Sequence, residues 1–388
     1  MSRHLRVSLG DVLRLDRDEV AIEPTAIYRT AGIRSFGRGL FARPAISGAG
    51  TSYAKYYRLR KDQLVFSRLF AWEGAVALVP PEFDGWFVSS EFPTFAVNRA
   101  RVTPAYLGHF VRWPHFHDQL ADSTRGLGQR RQRVHVEDFL ALNLPLPPLD
   151  EQRRIAATLD RWRLNTDLLL TRLQLPVTTP EATTARLPSL LDEVLRQTSE
   201  DQAPVGDLVE FISDTVHPGD DPSPARSFVG LQHVESHTGQ MLDSSPIGNE
   251  KGRKFRFRPG DVVYGYLRPY LNKVWVADRD GLCSVDQYVL RPNAGVSAEL
   301  LAHQLRSMSV LDQAVDLTHN LQLPRLRSGL LAAITVQAVR PESAAEVVGR
   351  LDRVRNLVIA RAELRKRQIA AASALMPSLL NQAFAGLS

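Results

Sequence analysis

The sequence predicts an α+β fold that uses one unit twice: two tandem globules separated by two long helices, packed as an antiparallel coiled coil about an internal pseudo-two-fold repeat. Three observations predict it. Six sequence blocks recur in one order at an offset of about 190–200 residues. In each copy the first ~140 residues hold short apolar runs broken by Gly, Pro and Asp, and the last ~50 turn helical. Each helical stretch carries an apolar stripe at alternating steps of four and three, the rhythm of a heptad seam.

Taken in order, SLGDVLRL (8–15) matches PVGDLVEF (204–211), and YRTAGIRSFGRGL (28–40) matches FVGLQHVESHTGQM (228–241). LRKDQLVFSRL (59–69) lies against FRPGDVVYGYL (257–267), and VSSEFPTFAVN (88–98) against CSVDQYVLRPN (283–293), pairing Glu91 with Asp286. TPAYLGHFVR (103–112) matches SAELLAHQLR (297–306), with helices expected over 103–121 and 297–314. LPSLLDEVL (187–195) matches MPSLLNQAF (376–384). The prolines of LNLPLPPLD (142–150) disfavour helix, and the first long helix starts just after them. Its seam is Ile155, Leu159, Trp162, Thr166, Leu169 and Leu173; that of the second copy is Val347, Leu351, Val354 and Val358. The expected divisions are 1–146, 147–200, 201–340 and 341–388.

The 388 residues carry 48 Lys+Arg against 42 Asp+Glu, a net charge of +6. That length suggests two or three domains, and a composition of 44% hydrophobic and 23% charged residues excludes a largely disordered chain. Only six of the basic residues are lysine. A GC-rich genome explains such a bias, and so does contact with phosphates and guanine edges, where a planar fork outperforms an ammonium. The single cysteine, Cys283, excludes an intramolecular disulfide and a Cys-rich zinc module. No apolar run is long enough for a membrane span, and Gly10, Asp11 and Arg14 interrupt the only stretch that could be a signal segment. A cytoplasmic location is expected.

At LPLPPLDEQRRIAATLDR (144–161) and MPSLLNQAFAG (376–386) the chain resembles the specificity subunit of Type I restriction-modification systems. The duplicated GD…GI…strand…S-x-E/D pattern is similar to that family's two target recognition domains. The second copy lacks the PLPP-LDEQ run, so its hinge, ITVQAVRPESAAE (334–346), is expected to be built differently. The resemblance implies a non-catalytic DNA-binding subunit whose two target recognition domains, 1–146 and 201–340, read an asymmetric bipartite target. It also implies two methyltransferase subunits docked on the helices, motor-nuclease restriction subunits joining for restriction, and SAM, ATP and Mg confined to those partners. A helix over 149–174 would be about 39 Å long, close to the ~34 Å of one duplex turn, so the helices are expected to set the spacer. The same architecture serving another phage-defence or modification system is the alternative; a self-sufficient nuclease is a third.

Three regions per globule are candidates for double-stranded DNA. The first is the glycine-spaced loop, with Arg34, Ser35 and Arg38 in one copy and Gln232 and His233 in the other. Glycines let backbone approach closely, and Arg, Gln and Ser read base edges. The second is the basic strand entry, with Arg58, Arg60, Lys61 and Arg68 against Lys254, Arg256, Arg258 and Arg268. The third precedes each hinge: Arg125, Arg130, Arg131 and Arg133, against His319, Asn320, Gln322, Arg325 and Arg327. All could equally be solvated surface. For docking, Glu151 and Arg154 open the first long helix, where an acid also suits the helix dipole. Leu190, Leu191, Leu379 and Leu380 either dock a subunit or close a helical hairpin.

Catalytic patterns are missing from the sequence. DPSP (221–224) lacks the second proline and the aromatic of an amino-methyltransferase loop, and no Walker A string occurs. Asp261 and Asp278 have no E-x-K companion. His115-x-His117-Asp118 and His233-x-Glu235-x-His237 have metal-edge spacing without a cysteine partner, and read equally as surface or DNA-facing histidines.

Overall fold

A computed structural model describes residues 5–122, 133–198, 201–248, 252–318 and 322–387. Five helices are named here: α1 (Pro104–Phe110), α2 (Leu149–Leu173), α3 (Leu187–Arg196), α4 (Ala298–Arg306) and α5 (Pro341–Ala385). The chain forms two compact units, Met1–Thr171 with Ala370–Ser388, and Arg172–Ile369. The long helices thus do not stand apart as domains; each unit takes a share of them.

In the first unit, four antiparallel strands lie in the spatial order Val76–Leu78, Leu64–Phe66, Thr94–Val97, Leu13–Leu15. A second sheet joins Phe87–Val88, Lys55–Arg58 and Asp18–Ala21. The core between sheet and helices is aromatic: Phe66 stacks on Phe139 at 4.3 Å, and Phe95, Tyr106, Phe110 and Phe116 are fully buried around them. Helix α1 starts where it does because the Thr103 hydroxyl accepts from the Tyr106 amide and Pro104 sits in the first turn. The expected helix over 103–121 is two helices, the second being Pro114–Asp122, because Pro114 turns the chain at Trp113.

The second unit repeats this order. Val274–Val276, Val262–Gly265, Gln287–Pro292 and Val209–Ile212 form the four-stranded antiparallel sheet. Its second sheet is wider, adding Ser227–Val229 in parallel to Gly281–Cys283; in the first unit that pairing survives as the single bridge Thr30–Phe87. Ser297 caps α4 as Thr103 caps α1. The hinges also match, contrary to expectation. Asn143–Leu146 pairs antiparallel with Leu5–Ser8, and Thr335–Gln337 pairs antiparallel with Gln202–Pro204. Closing the globule needs a strand beside its own first strand, and backbone hydrogen bonds supply that without the prolines.

Each globule rests on two helices of its own unit. In the first, Ile155 and Leu159 of α2 share one core with Leu379, Leu380 and Phe384 near the end of α5. In the second, Val347, Leu351 and Val358 of α5 pack with Leu187, Leu191 and Leu195 of α3 and with Leu300. The second seam is therefore taken up by α3 and its own globule. In the first seam, Leu159, Thr166 and Leu173 are buried, whereas Trp162 and Leu169 are exposed. No helix among the described residues is long and apolar enough to cross a membrane.

Candidate nucleic-acid interface

The two candidate loops share one construction. In the first unit the Arg34 amide donates to the Gly39 carbonyl, and the Phe36 amide to the Glu73 carbonyl. In the second, Glu235 N–H donates to Gln240 and His237 N–H to Asn272. These bonds align Phe36 with His237, and both hold the left-handed backbone, at φ 61° and 65°. Arg34 and Arg38 are exposed, their guanidinium groups over the rings of Phe41 and Phe36 at 5.6 and 5.7 Å. Ser35 donates its hydroxyl to Glu73 at 2.7 Å, which makes it a fastener of the loop. Gln232 is exposed, whereas His233 is buried with Nδ1 accepting from the Gly230 amide at 3.1 Å. Buried and bonded inward, His233 shapes the loop instead of facing outward.

The second and third regions are brought together, in the same way in both units. Val134 N–H donates to the Arg68 carbonyl, while Arg268 N–H donates to Pro324 and Leu326 N–H to Tyr266. The matched acids Glu91 and Asp286 sit at this junction. Arg133 pairs with Glu91 at 2.9 Å, and Arg325 with Asp286 at 3.7 Å. Arg268, Gln322, Arg325 and Arg327 are exposed.

Other arginines are spent on the fold. Arg60 pairs with Asp18 at 2.6 Å. Arg256 bonds the carbonyls of Pro222, Ser223 and Asp221 and pairs with Asp214, leaving little of its fork for a ligand. Arg58 lies over the Phe87 ring, and Lys254 over Phe228. The Arg68 Nε is buried, while Lys61 and Arg258 are exposed. Arg125, Arg130, Arg131, His319 and Asn320 lie outside the described residues.

The docking candidates divide by burial. Leu191 and Leu380 are core residues, Leu379 is half-buried, and Leu190 is 44% exposed. Glu151 and Arg154 pair with each other at 3.3 Å, with the Arg154 side chain in solvent. Between them lies the residue that fixes the hinge. Gln152 is fully buried, accepts from the Thr103 amide (2.8 Å), and donates to the carbonyls of Arg101 and Pro147 (2.9 and 2.8 Å).

Sequence reasoning missed one repeated constellation. HFVR (109–112) with LDRWR (159–163) corresponds to HQLR (303–306) with LDRVR (351–355). His109 Nε2 lies 3.0 Å from Asp160 Oδ1, and His303 Nε2 lies 2.8 Å from Asp352 Oδ1. In the second unit Arg306 Nη2 donates to His303 Nδ1 (3.1 Å), and Arg355 Nε donates to the Thr238 carbonyl of the loop (2.7 Å). Both ring nitrogens of a neutral His303 are thereby satisfied. Burial holds His109 and His303 below the usual imidazole range, and for His303 the nearby Arg306 adds to it. Burial also pushes the Arg306 guanidinium down to about 9. The only signal in the sequence was the recurrence of H-x-x-R and L-D-R-x-R, with the paired His and Asp 51 residues apart in the first copy and 49 in the second.

The remaining titratable candidates are structural. Asp261 is buried and accepts from Arg291 at 2.9 and 3.0 Å, and Asp278 pairs with Arg279. His117 Nε2 bonds the Val111 carbonyl at 2.8 Å. No cluster of three or more His, Cys, Asp or Glu among the described residues is placed to hold a metal.

Comparison with known proteins agrees with this architecture. Residues 7–175 match the family described as the Type I restriction modification DNA specificity domain. The Type I restriction enzyme EcoDI specificity subunit of Escherichia coli is 29% identical over 160 residues, covering 40% of this chain and 35% of that protein. The match thus spans about a third of that relative's length. A solved chain from work on complex assembly and conformational transition of the type I R-M system aligns over 99% of this chain and 98% of its own, with TM-score 0.74 and 18% identity. The HsdS subunit from Thermoanaerobacter tengcongensis aligns over 100% and 97%, with TM-score 0.63 and 20% identity. At such identities the two structures speak for the fold alone.

Proposed function

We propose, from the match of residues 7–175 to the Type I restriction modification DNA specificity domain, that the chain directs a modification and restriction complex to an asymmetric bipartite DNA target. Each globule reads one half-site. What supports this most is that the duplication keeps strand order, loop construction and the acid–arginine junction while changing the exposed side chains, such as Arg34 and Arg38 against Gln232. Two readers of one shape and different chemistry give a split target with unlike halves.

Methyltransferase subunits dock on the helices through Glu151, Arg154, Leu190 and Leu379, and the helices set the spacer. SAM, ATP and magnesium belong to the modification and motor-nuclease partners. The work is cytoplasmic, where those partners and the DNA are. A groove of about 270 Å³, lined by Ile155, Leu159, Trp162, Leu379 and Ala383 and edged by Arg154, Thr158 and Gln382, offers a partner subunit a seat.

Replacing Arg34 and Arg38 together by alanine is expected to relax recognition of one half-site only, by ~1–3 kcal/mol per lost bidentate contact. Sequencing the methylated motif of the variant reads this directly. Equal loss at both halves would mean that these arginines serve the fold or the phosphates. The purified chain alone, given SAM, ATP and magnesium, is expected to leave DNA unmethylated and uncut. Turnover that tracks a point mutant of this chain would overturn that assignment.

A further inference from the structure

Phe36 is 63% exposed at the tip of its loop and holds φ 61°, a conformation that L residues with bulky side chains rarely adopt. Nothing in its own burial repays that strain. The tip is instead held in place from below. Phe36 N–H donates to the Glu73 carbonyl (2.8 Å), Gly37 N–H to Gly74 (2.9 Å), Ser35 Oγ to Glu73 (2.7 Å), and Arg38 Nε to the Ser35 carbonyl (3.0 Å). Gly37 is needed for close approach: at φ 63°, a Cβ there would lie 2.9 Å from the Arg112 Cα. A rigid cradle therefore presents an apolar ring to solvent between two exposed arginines. The corresponding tip, His237, keeps the left-handed backbone but is half-buried beside Pro180, Glu181 and Lys273. At this loop tip, the exposed ring belongs to the first unit alone.

Strain kept at a surface position by a surrounding framework is characteristic of a ligand contact. We propose that Phe36 is an apolar base-contacting residue of the first half-site, lying against the bases while Arg34 and Arg38 hold edges or phosphates beside it. This rests on the reading of the first globule as a DNA reader. A flat apolar side chain on DNA meets either a thymine methyl or an opened base step, and both are contacts to base surface.

The test is Phe36→Gly, in the full chain assembled with its modification subunits, against randomised duplexes. Glycine accepts the left-handed backbone without penalty, so thermal stability is expected to hold or rise. Preference for the first half-site is expected to fall about tenfold or more, with the second half-site and the salt slope unchanged, since no phosphate contact is removed. Phe36→Tyr, which keeps the ring, is expected to retain the preference. Duplexes with uracil for thymine in the first half-site separate a methyl contact, which they weaken, from a wedge, which they spare. Wild-type preference in Phe36→Gly, or a drop in its melting temperature, overturns the inference. If the wild-type complex shows no bipartite preference at all, it is the functional reading that fails.

Discussion

Phe384→Ala is expected to destabilise the first unit by about 3–5 kcal/mol, although most of that unit's strands lie before Leu78, more than three hundred positions away. Phe384 is fully buried, its ring 5.3 Å from Tyr106, 5.7 Å from Phe110 and 5.5 Å from Trp113. One helical turn earlier, Asn381 accepts from Trp113 Nε1 at 2.6 Å. Emptying that site leaves a cavity under α1 that the aromatic core cannot collapse to fill, and the loss is a large fraction of an ordinary domain's total stability. Amide hydrogen exchange reads the outcome by location. Strands Leu13–Leu15, Leu64–Phe66 and Thr94–Val97 should lose protection, while Val262–Gly265 and Gln287–Pro292 keep theirs. A uniform loss across both sheets, or none, would contradict the packing described.

Acid should loosen the protein well above the range where carboxylates titrate. Burial holds His109, His117, His237 and His303 below the ordinary imidazole value of 6.5. Asp160 and Asp352 pull His109 and His303 back upward, Arg112 and Arg163 oppose this at His109, and Arg306 and Arg355 oppose it at His303. Asp118 acts upward on His117. In each case the unfolded chain binds the proton more readily than the folded one. The stability these neutral rings contribute is therefore complete above about pH 6.5 and drains away as pH falls toward the folded values. Between pH 6.5 and 5 a deeply buried histidine contributes a loss of up to about 2 kcal/mol. Melting followed at pH 7.5 and 5.0 should show the midpoint falling by several degrees. His303→Gln, whose amide can still donate to Asp352 and accept from Arg306, should melt with a smaller pH dependence. An unchanged dependence in that variant would place the acid sensitivity elsewhere.

The duplication, the strand runs and both long helices were legible because they rest on local pattern and self-similarity, which a single chain displays. The hinge of the second copy was misjudged because PLPP is one local way to extend a backbone, whereas pairing with Gln202–Pro204 is a tertiary one. The repeat LPSLL/MPSLL was visible, but no periodicity says which globule each serves; α3 packs within the second unit and the MPSLL end of α5 within the first. Of the candidate site, Arg34 and Arg38 of the first loop and Arg133, Gln322, Arg325 and Arg327 of the pre-hinge segments lie at the surface. His233 and Leu191 do not, because residue type does not report which way a loop or helix face turns. Gln152 and the two His–Asp pairs escaped notice because single short strings about fifty residues apart carry no signal until the fold brings them together.

The share of α5 in the first unit also bears on how the chain comes into being. A ribosome adds about 5–20 residues per second, so roughly ten to forty seconds separate the emergence of Leu173 from that of Phe384. Throughout that interval the apolar floor of the first globule, which Leu380, Phe384 and Leu387 later cover, stands open to chaperones and to other nascent chains. The second unit ends at Ile369. The half of the protein that is translated first is thus the last to be completed.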